Sequence, residues 1–392
     1  MTHPLKFDYL LLITVLLITV IGVSIVFSAS SFKAKERYGD SSFYLKKQLV
    51  RVFIGLALML VFFYIDYHDL QKLSWLMLLI SLVLLIYVFI NGARLNGSRR
   101  SFNLMGFMFQ PSEAAKYSLI LFISDYLARR QKEIKEFANG LLPALIVTGV
   151  LLLPILLEPD LGTSILILVI AGILLFVGGA NLWHLFSIGA LGLGTAAMLI
   201  SSIAYQKSRF FQFVDAVRGM REPPWQVVQS LICFANGGFW GVGLGNSRQK
   251  YHFLPQPFTD FIYSILAEEL GLIGAVFVLL LFMVLLWRGI SIALNAPDSQ
   301  GRFLAIGITS AILLYAFTSI AIVTNLFPIT GIPLPFISYG GSAMMMNFMA
   351  VGILLNISSQ CFGKPAAVKI RVTHQKRNYS KYRVNKNRAR RK

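Results

Sequence analysis

Apolar residues fill this chain in long unbroken runs, with neither the one-sided stripe of a surface helix nor the alternation of a strand. Ten runs recur, at 9–27, 49–64, 73–90, 112–127, 141–157, 161–177, 184–204, 261–287, 303–326 and 336–357. Each approaches the about 20 apolar residues that a helix needs to cross a bilayer. The pattern predicts an all-α integral membrane protein of about ten transmembrane helices. The first run is too long for a signal-peptide core, and only Lys6 precedes it as a basic residue, so it reads as a retained span. Most connections are short. The exception, about 205–260 between the seventh and eighth runs, holds Trp225, Trp240 and several glycines and is expected to fold back on the membrane. Residues 1–362 thus form one polytopic domain, and 363–392 form a polar tail without a hydrophobic pattern, read as disordered.

Composition narrows the classes. Of 392 residues 56% are hydrophobic and 14% charged, well below the about 25% charge of a soluble domain. A soluble globular enzyme is excluded. Cys233 and Cys361 stand far apart and the five histidines are single, so no disulfide framework or His/Cys metal site is indicated and no metal ligand is assigned.

The net charge of +19 becomes informative once located. Twelve Lys or Arg and no acid lie in 363–392. An even number of spans puts both termini on one side, and the basic tail puts that side in the cytoplasm. The tail reads as a topology anchor touching anionic membrane lipid; a nucleic-acid arm does not suit a membrane core. Outside the tail, the outer loops carry fifteen cations against eight on the cytoplasmic side. That reverses the usual bias. Either an anionic ligand at the outer face or anionic outer-leaflet lipid accounts for it.

Charges in or beside the spans are costly in hydrocarbon and mark candidate chemistry. Glu113 and Lys116, three apart after Pro111, share a helical face, either as a packing ion pair or as a wall of a wet cavity where Lys116 meets an anion. Asp160 either caps the sixth span or lines the same cavity. Gly241, Gly243 and Gly245 precede Asn246, Ser247, Arg248 and Lys250, a weak anion-binding pattern without the spacing of a P-loop. Asp260 lies at the membrane edge, where desolvation would raise its pKa and make it a base; alternatively it caps the eighth span. Glu268 and Glu269 follow within that span. The Pro- and Gly-rich run from Gly331 through Ser338 to Ser342 predicts a broken or re-entrant segment.

Together, 110–116, 158–163, 243–269 and 331–342 resemble the SEDS family (shape, elongation, division and sporulation) of integral-membrane peptidoglycan polymerases. The resemblance spans all ten predicted helices. Ser28-Ala29-Ser30, Trp225-Gln226 with Gln229-Ser230, and 243–250 are more similar to the division member, FtsW, than to the elongation member, RodA. The resemblance implies a glycosyltransferase that polymerises lipid II outside the bacterial cytoplasmic membrane, during septal division on the FtsW reading. It implies Asp260 as general base and a polar cavity with Glu113, Lys116 and Asp160. Arg99, Arg100, Arg248 and Lys250, with Asn246, Ser247 and Ser338, are candidates for substrate binding. Class B penicillin-binding protein transpeptidases and other division proteins are the implied partners. The chemistry admits help from a divalent cation, Mg or Mn, although no ligand cluster is visible. Two departures stand out: where the family usually has Pro-Glu-x-His-Thr-Asp, this chain has Gln256 and Phe258 in place of the Glu and His. A lipid II flippase, with Glu113 and Lys116 along a headgroup path, is the competing reading.

Overall fold

The computed structural model describes residues 7–361 apart from 96–97, 105–106, 159, 203, 252 and 256. The tail at 363–392 and Gln256 therefore lie outside the described residues. Helices α1 (Tyr9–Tyr38), α2 (Phe43–Tyr64), the short α3 (Tyr67–Lys72) and α4 (Ser74–Asn91) come first. A small antiparallel sheet follows, β1 (Ala93–Leu95), β2 (Ser98–Leu104) and β3 (Phe107–Phe109), with β2 central. Then come α5 (Pro111–Arg129), α6 (Leu142–Leu157), α7 (Leu161–Val177), α8 (Leu182–Ser202), α9 (Ala204–Val217), α10 (Trp225–Gly237), α11 (Ile262–Asn295), α12 (Ser299–Val323) and α13 (Ser342–Cys361).

Each predicted apolar run coincides with a helix. Among the described residues seven helices are long and apolar enough on their own to cross a membrane: α1, α2, α4, the 137–157 segment that contains α6, α11, α12 and α13. Of the other three, α7 has 17 residues and α5 carries Glu113, Lys116, Asp125 and Arg129, while α8 is a 21-residue apolar helix without a charged residue.

The helix ends follow local chemistry. Asp8 accepts from Leu11 N at 3.0 Å and caps α1. Pro111, which lacks an N–H, opens α5. Asp298 accepts from Gly301 N at 2.7 Å and caps α12.

Inside and outside are not told apart by hydrophobicity, because the outer ring faces lipid rather than water. On α1 the inward residues Leu11, Val15, Ile18, Gly22, Ile25 and Ala29 recur every three or four positions, while Tyr9, Ile13, Leu17 and Val20 on the other side are exposed and just as apolar. Position in the bundle decides burial. The most apolar stretch of α13 is 72% buried and that of α12 61%, against 28% for α4, so α12 and α13 are central and α4 peripheral. Small residues allow close approach. A Cβ on Gly352 of α13 would stand 2.4 Å from Met59 O of α2, and one on Gly22 would stand 2.6 Å from Phe336 O.

Three features differ from the sequence reading. The sheet at 93–109 was not foreseen, so the chain is helical with a small β element. The long loop carries two helices, α9 and α10. The last helix begins at Ser342, not near 336, because Pro333 and Pro335 keep the 331–341 stretch irregular. That stretch is nonetheless buried at Ile332, Leu334, Phe336 and Ile337, as expected of a broken segment enclosed by protein.

Candidate active site

Asp260 stands in a turn just before α11, at the end of the bundle assigned to the outside. It does not cap that helix. Phe261 occupies the N-cap position and no side chain caps that end, which removes the structural alternative for Asp260. The irregular 331–341 stretch holds the turn in place. Ser338 Oγ donates to Thr259 O at 2.7 Å and accepts from Leu334 N at 2.8 Å. Tyr339 N donates to Phe258 O at 2.9 Å. A Cβ on Gly331 would come within 3.4 Å of Asp260 Oδ2. Ser338 thus acts as a brace behind Asp260 and joins two segments 79 residues apart.

Two cations act on this carboxylate. Burial pushes Asp260 up to about 6, against the pull of Arg209 on α9 and Arg100 on β2. Arg209 Nη1 also donates to Ile329 O at 3.0 Å. Arg100 is placed by the sheet. Its Nη1 lies 3.6 Å from Asp160 Oδ2 and its Nε 3.4 Å from Glu158 O. Asp160 fulfils both roles considered for it: it caps α7 by accepting from Thr163 N at 3.3 Å, and it faces Arg100. Glu158 is pushed up to about 8 by burial and by neighbouring Asp160, with Arg100 opposing. A cavity of about 300 Å³ opens beside Arg209, between α9, the start of α10 and the 325–329 turn, with Gln212, Trp225, Gln226 and Asn325 in its wall. Arg99 lies on β2 next to Arg100, and its side chain lies outside the described residues.

Glu113 and Lys116 form one ion pair at 2.8 Å, and both side chains are almost fully buried. Lys116 Nζ lies 3.8 Å from the Tyr315 ring centre, a second favourable contact for the cation. The pair stands behind the 333–344 segment, where Glu113, Leu334 and Ser338 share a cavity of only about 10 Å³. Packing and site are therefore contiguous here.

The glycine-rich stretch has another set of partners. α11 breaks at Gly271 (φ 70, ψ −172), a conformation open to glycine. The break exposes backbone that the 237–243 loop takes up: Val242 N and Gly243 N donate to Glu268 O and Glu269 O at 3.0 and 3.1 Å. Side chains seal the joint. Ser247 Oγ hydrogen-bonds Glu268, and Arg248 N donates to Glu268 Oε1 at 3.2 Å. Lys250 Nζ lies 3.5 Å from Glu269 Oε1 and donates to Ser28 Oγ at 3.3 Å. Asn246 Nδ2 donates to Val242 O at 3.1 Å. The structure thus gathers Asn246, Ser247, Arg248 and Lys250 around Glu268 and Glu269, and gathers Arg100, Asp160 and Ser338 around Asp260.

Arg209 was visible in the sequence only as one outer cation among fifteen; nothing in its neighbours Ser208 and Phe210 distinguishes it. Arg51 and Gln48 of α2 were not singled out in the sequence, yet both are buried against the 338–341 segment. Their signal was a cation and an amide in the outer turns of an otherwise apolar run. Among the described residues no three His, Cys, Asp or Glu side chains converge to hold a metal, so the residues do not fit a dedicated divalent site and no chemical step is assigned to one.

A buried carboxyl, two arginines and a braced broken segment at one end of a helical bundle invite comparison with known proteins. The cell cycle protein family model that groups FtsW, RodA and SpoVE matches residues 8–361. The chain is 42% identical over 353 residues to stage V sporulation protein E of Bacillus subtilis (strain 168), covering 90% of this chain and 96% of that protein. It is 38% identical over 359 residues to the probable peptidoglycan glycosyltransferase FtsW of Geobacter sp. (strain M18), covering 91% and 98%. Among solved structures, RodA of Thermus thermophilus superposes with a TM-score of 0.68 at 26% identity, covering 91% of this chain and 98% of that one. A chain from a peptidoglycan synthase complex superposes with a TM-score of 0.72 at 26% identity, covering 92% and 99%. With one family model running from the α1 cap to the end of α13, and relatives aligned over nearly their whole length, the chain belongs to the FtsW/RodA/SpoVE family, the SEDS proteins.

Proposed function

We propose that the chain is a peptidoglycan glycosyltransferase that polymerises lipid II at the outer face of a bacterial cytoplasmic membrane, with both termini in the cytoplasm. The observation that carries this reading is Asp260, a carboxyl raised to about 6 beside Arg100 and Arg209. A base needs a pKa near the working pH, and a departing pyrophosphate needs fixed cations. Asp260 takes the proton from the GlcNAc 4-hydroxyl of the acceptor as that oxygen bonds to C1 of the donor MurNAc. The bond from C1 to the pyrophosphate oxygen breaks, and undecaprenyl pyrophosphate leaves with the electron pair. Attack opposite the leaving group converts an α to a β linkage. Arg100 and Arg209 stabilise the charge that grows on the pyrophosphate, with Arg99 beside them in sequence. Asp160 holds Arg100, and Ser338 holds the Asp260 turn.

Glu113 and Lys116 set the floor beneath the site. Their mutual neutralisation accounts for both buried charges without a headgroup, which favours the polymerase over a flippase. Asn246, Ser247, Arg248 and Lys250 fix the outer loop to α11, which positions the turn bearing Asp260. The relatives named for FtsW favour synthesis at a septum over elongation. A class B penicillin-binding protein would supply crosslinking, with other division proteins recruiting the pair, and the resemblance to a chain of a synthase complex supports such a partner.

The test is lipid II polymerisation by the purified chain with its cognate transpeptidase, wild type against Asp260→Asn, products resolved on a gel. Polymer from the wild type and none from a folded Asp260→Asn is the expected result. Equal polymer from both removes Asp260 as the base. Headgroup transfer across liposomes without polymer from either chain would favour the flippase.

A further inference from the structure

A row of aromatic side chains leads away from the Asp260 turn toward the outer rim. α1 is 30 residues long, about 45 Å at 1.5 Å per residue against about 30 Å of hydrocarbon. Its last turns, with Lys33, Lys35 and Arg37, therefore project beyond the membrane. At the tip, Tyr38 stacks on Phe43 with ring centres 3.8 Å apart and 15° between planes. Tyr44 continues the row, 4.8 Å from Phe258 and 5.3 Å from Tyr339. Phe258 and Tyr339 meet at 5.6 Å. Tyr339 follows Ser338, the brace of the turn that carries Asp260.

Cations accompany these rings. Lys47 Nζ lies 4.3 Å from the Phe43 ring centre, Lys33 Nζ 5.8 Å from that of Phe258, and the Arg51 guanidinium 4.2 Å from that of Tyr339. Arg51 is only 6% exposed, yet its Nε and Nη1 have no hydrogen-bond partner, and neither does Oε1 of the neighbouring Gln48. Buried donors normally find partners. Toward the rim the rings open: Tyr38 is 44% exposed, and Phe43, Tyr44 and Tyr339 are half-buried.

Ring faces carry partial negative charge and attract polarised C–H groups, and cations between them attract carboxylates. We propose that the strip from Tyr38 through Phe43, Tyr44 and Phe258 to Tyr339 and Arg51 is a binding track for an anionic amino-sugar chain, the glycan strand leaving the Asp260 site. This rests on the polymerase reading for the identity of the strand, not for the chemistry of the strip. Phe258, buried behind the open rings, stands where the family usually has a histidine, so the ring that backs the track is a feature of this chain.

The test uses the full chain with its transpeptidase partner. The probe is a soluble peptidoglycan oligosaccharide with free peptide carboxylates, alongside its amidated counterpart. Binding is measured to wild type, Tyr38→Ala/Phe43→Ala, Tyr38→Phe/Phe43→Tyr and Lys47→Gln, and strand length is read on gels. Loss of two ring contacts weakens binding of the carboxylate form roughly tenfold and shortens the strands, and the aromatic exchange restores both. Lys47→Gln narrows the gap between the carboxylate and amidated probes. If Tyr38→Ala/Phe43→Ala, with unchanged melting temperature, binds the probe and makes strands as wild type does, the track is refuted. Should that pair not fold, unchanged binding and strand length in Lys47→Gln refutes it. Loss of anionic-vesicle binding with intact oligosaccharide binding would assign the strip to phospholipid and also overturn the proposal. A wild type that binds the probe through these residues but makes no polymer defeats the polymerase reading and leaves the track standing.

Discussion

The pH dependence of polymerisation follows from the surroundings of Asp260 and can be worked through. As the proposed base Asp260 acts ionised, so on that reading activity is lost as pH falls through its pKa. Burial has moved that point up from the ordinary carboxylate range to about 6, with Arg209 the larger of two opposing influences and Arg100 the smaller. With a midpoint there, Asp260 is about 90% ionised at pH 7 and about 10% at pH 5, so the initial rate falls about tenfold between them. The informative perturbation is Arg209→Gln. It removes the cation and leaves a polar side chain two atoms too short to repeat the present bond from Arg209 Nη1 to Ile329 O. The carboxyl then loses its larger counter-influence, and the acid limb moves to higher pH. The maximal rate falls as well, because the pyrophosphate loses a cation, but the midpoint separates the two effects. The assay is the initial rate of lipid II consumption from about pH 4.5 to about pH 8, for wild type, Arg209→Gln and Arg100→Gln. An acid limb that stays in place in Arg209→Gln, or moves downward, would refute the electrostatic account of this site.

Three further outcomes test the frame that holds the site. Lys116→Met strands the buried Glu113 charge and costs about 3–5 kcal/mol, whereas Glu113→Met with Lys116→Met recovers most of it; thermal melts of the two singles and the double in detergent, read as a cycle, check this, and additive losses would contradict it. Gly271→Ala puts a Cβ 2.3 Å from Gly241 N at a backbone conformation suited to glycine; it costs at least about 1–3 kcal/mol, and faster proteolysis within 238–250 is the readout. Gly352→Ala sets a Cβ against Met59 O of α2, so a lowered melting temperature is expected, and a greater loss for Gly352→Val.

The membrane class, the positions of the helices and the break at 331–341 were legible because each depends on local chemistry. An apolar run of a given length is helical in a bilayer whatever surrounds it, Pro111 opens a helix, and Pro333 and Pro335 prevent one. Glu113 and Lys116 were legible as a pair because three residues of helix place them on one face. The sheet at 93–109 was not, since its strands are short and Ser98–Leu104 shows no strong alternation. Nor could sequence separate Lys250 from Arg100: both are outer cations, but Lys250 ends against Glu269 and Arg100 against Asp160.

The sequence by itself determined that this is a multi-helical membrane protein and roughly where its apolar spans lie. Whether Asp260 would cap α11 or remain available, and which of fifteen outer cations would stand near it, depended on contacts between segments far apart in the chain. Ser338 reaching Thr259, Arg209 reaching Ile329 and Tyr44 meeting Tyr339 are such contacts. Hydrophobicity carries no information about them, because lipid-facing and core-facing positions are equally apolar and only packing of the bundle decides which polar groups converge.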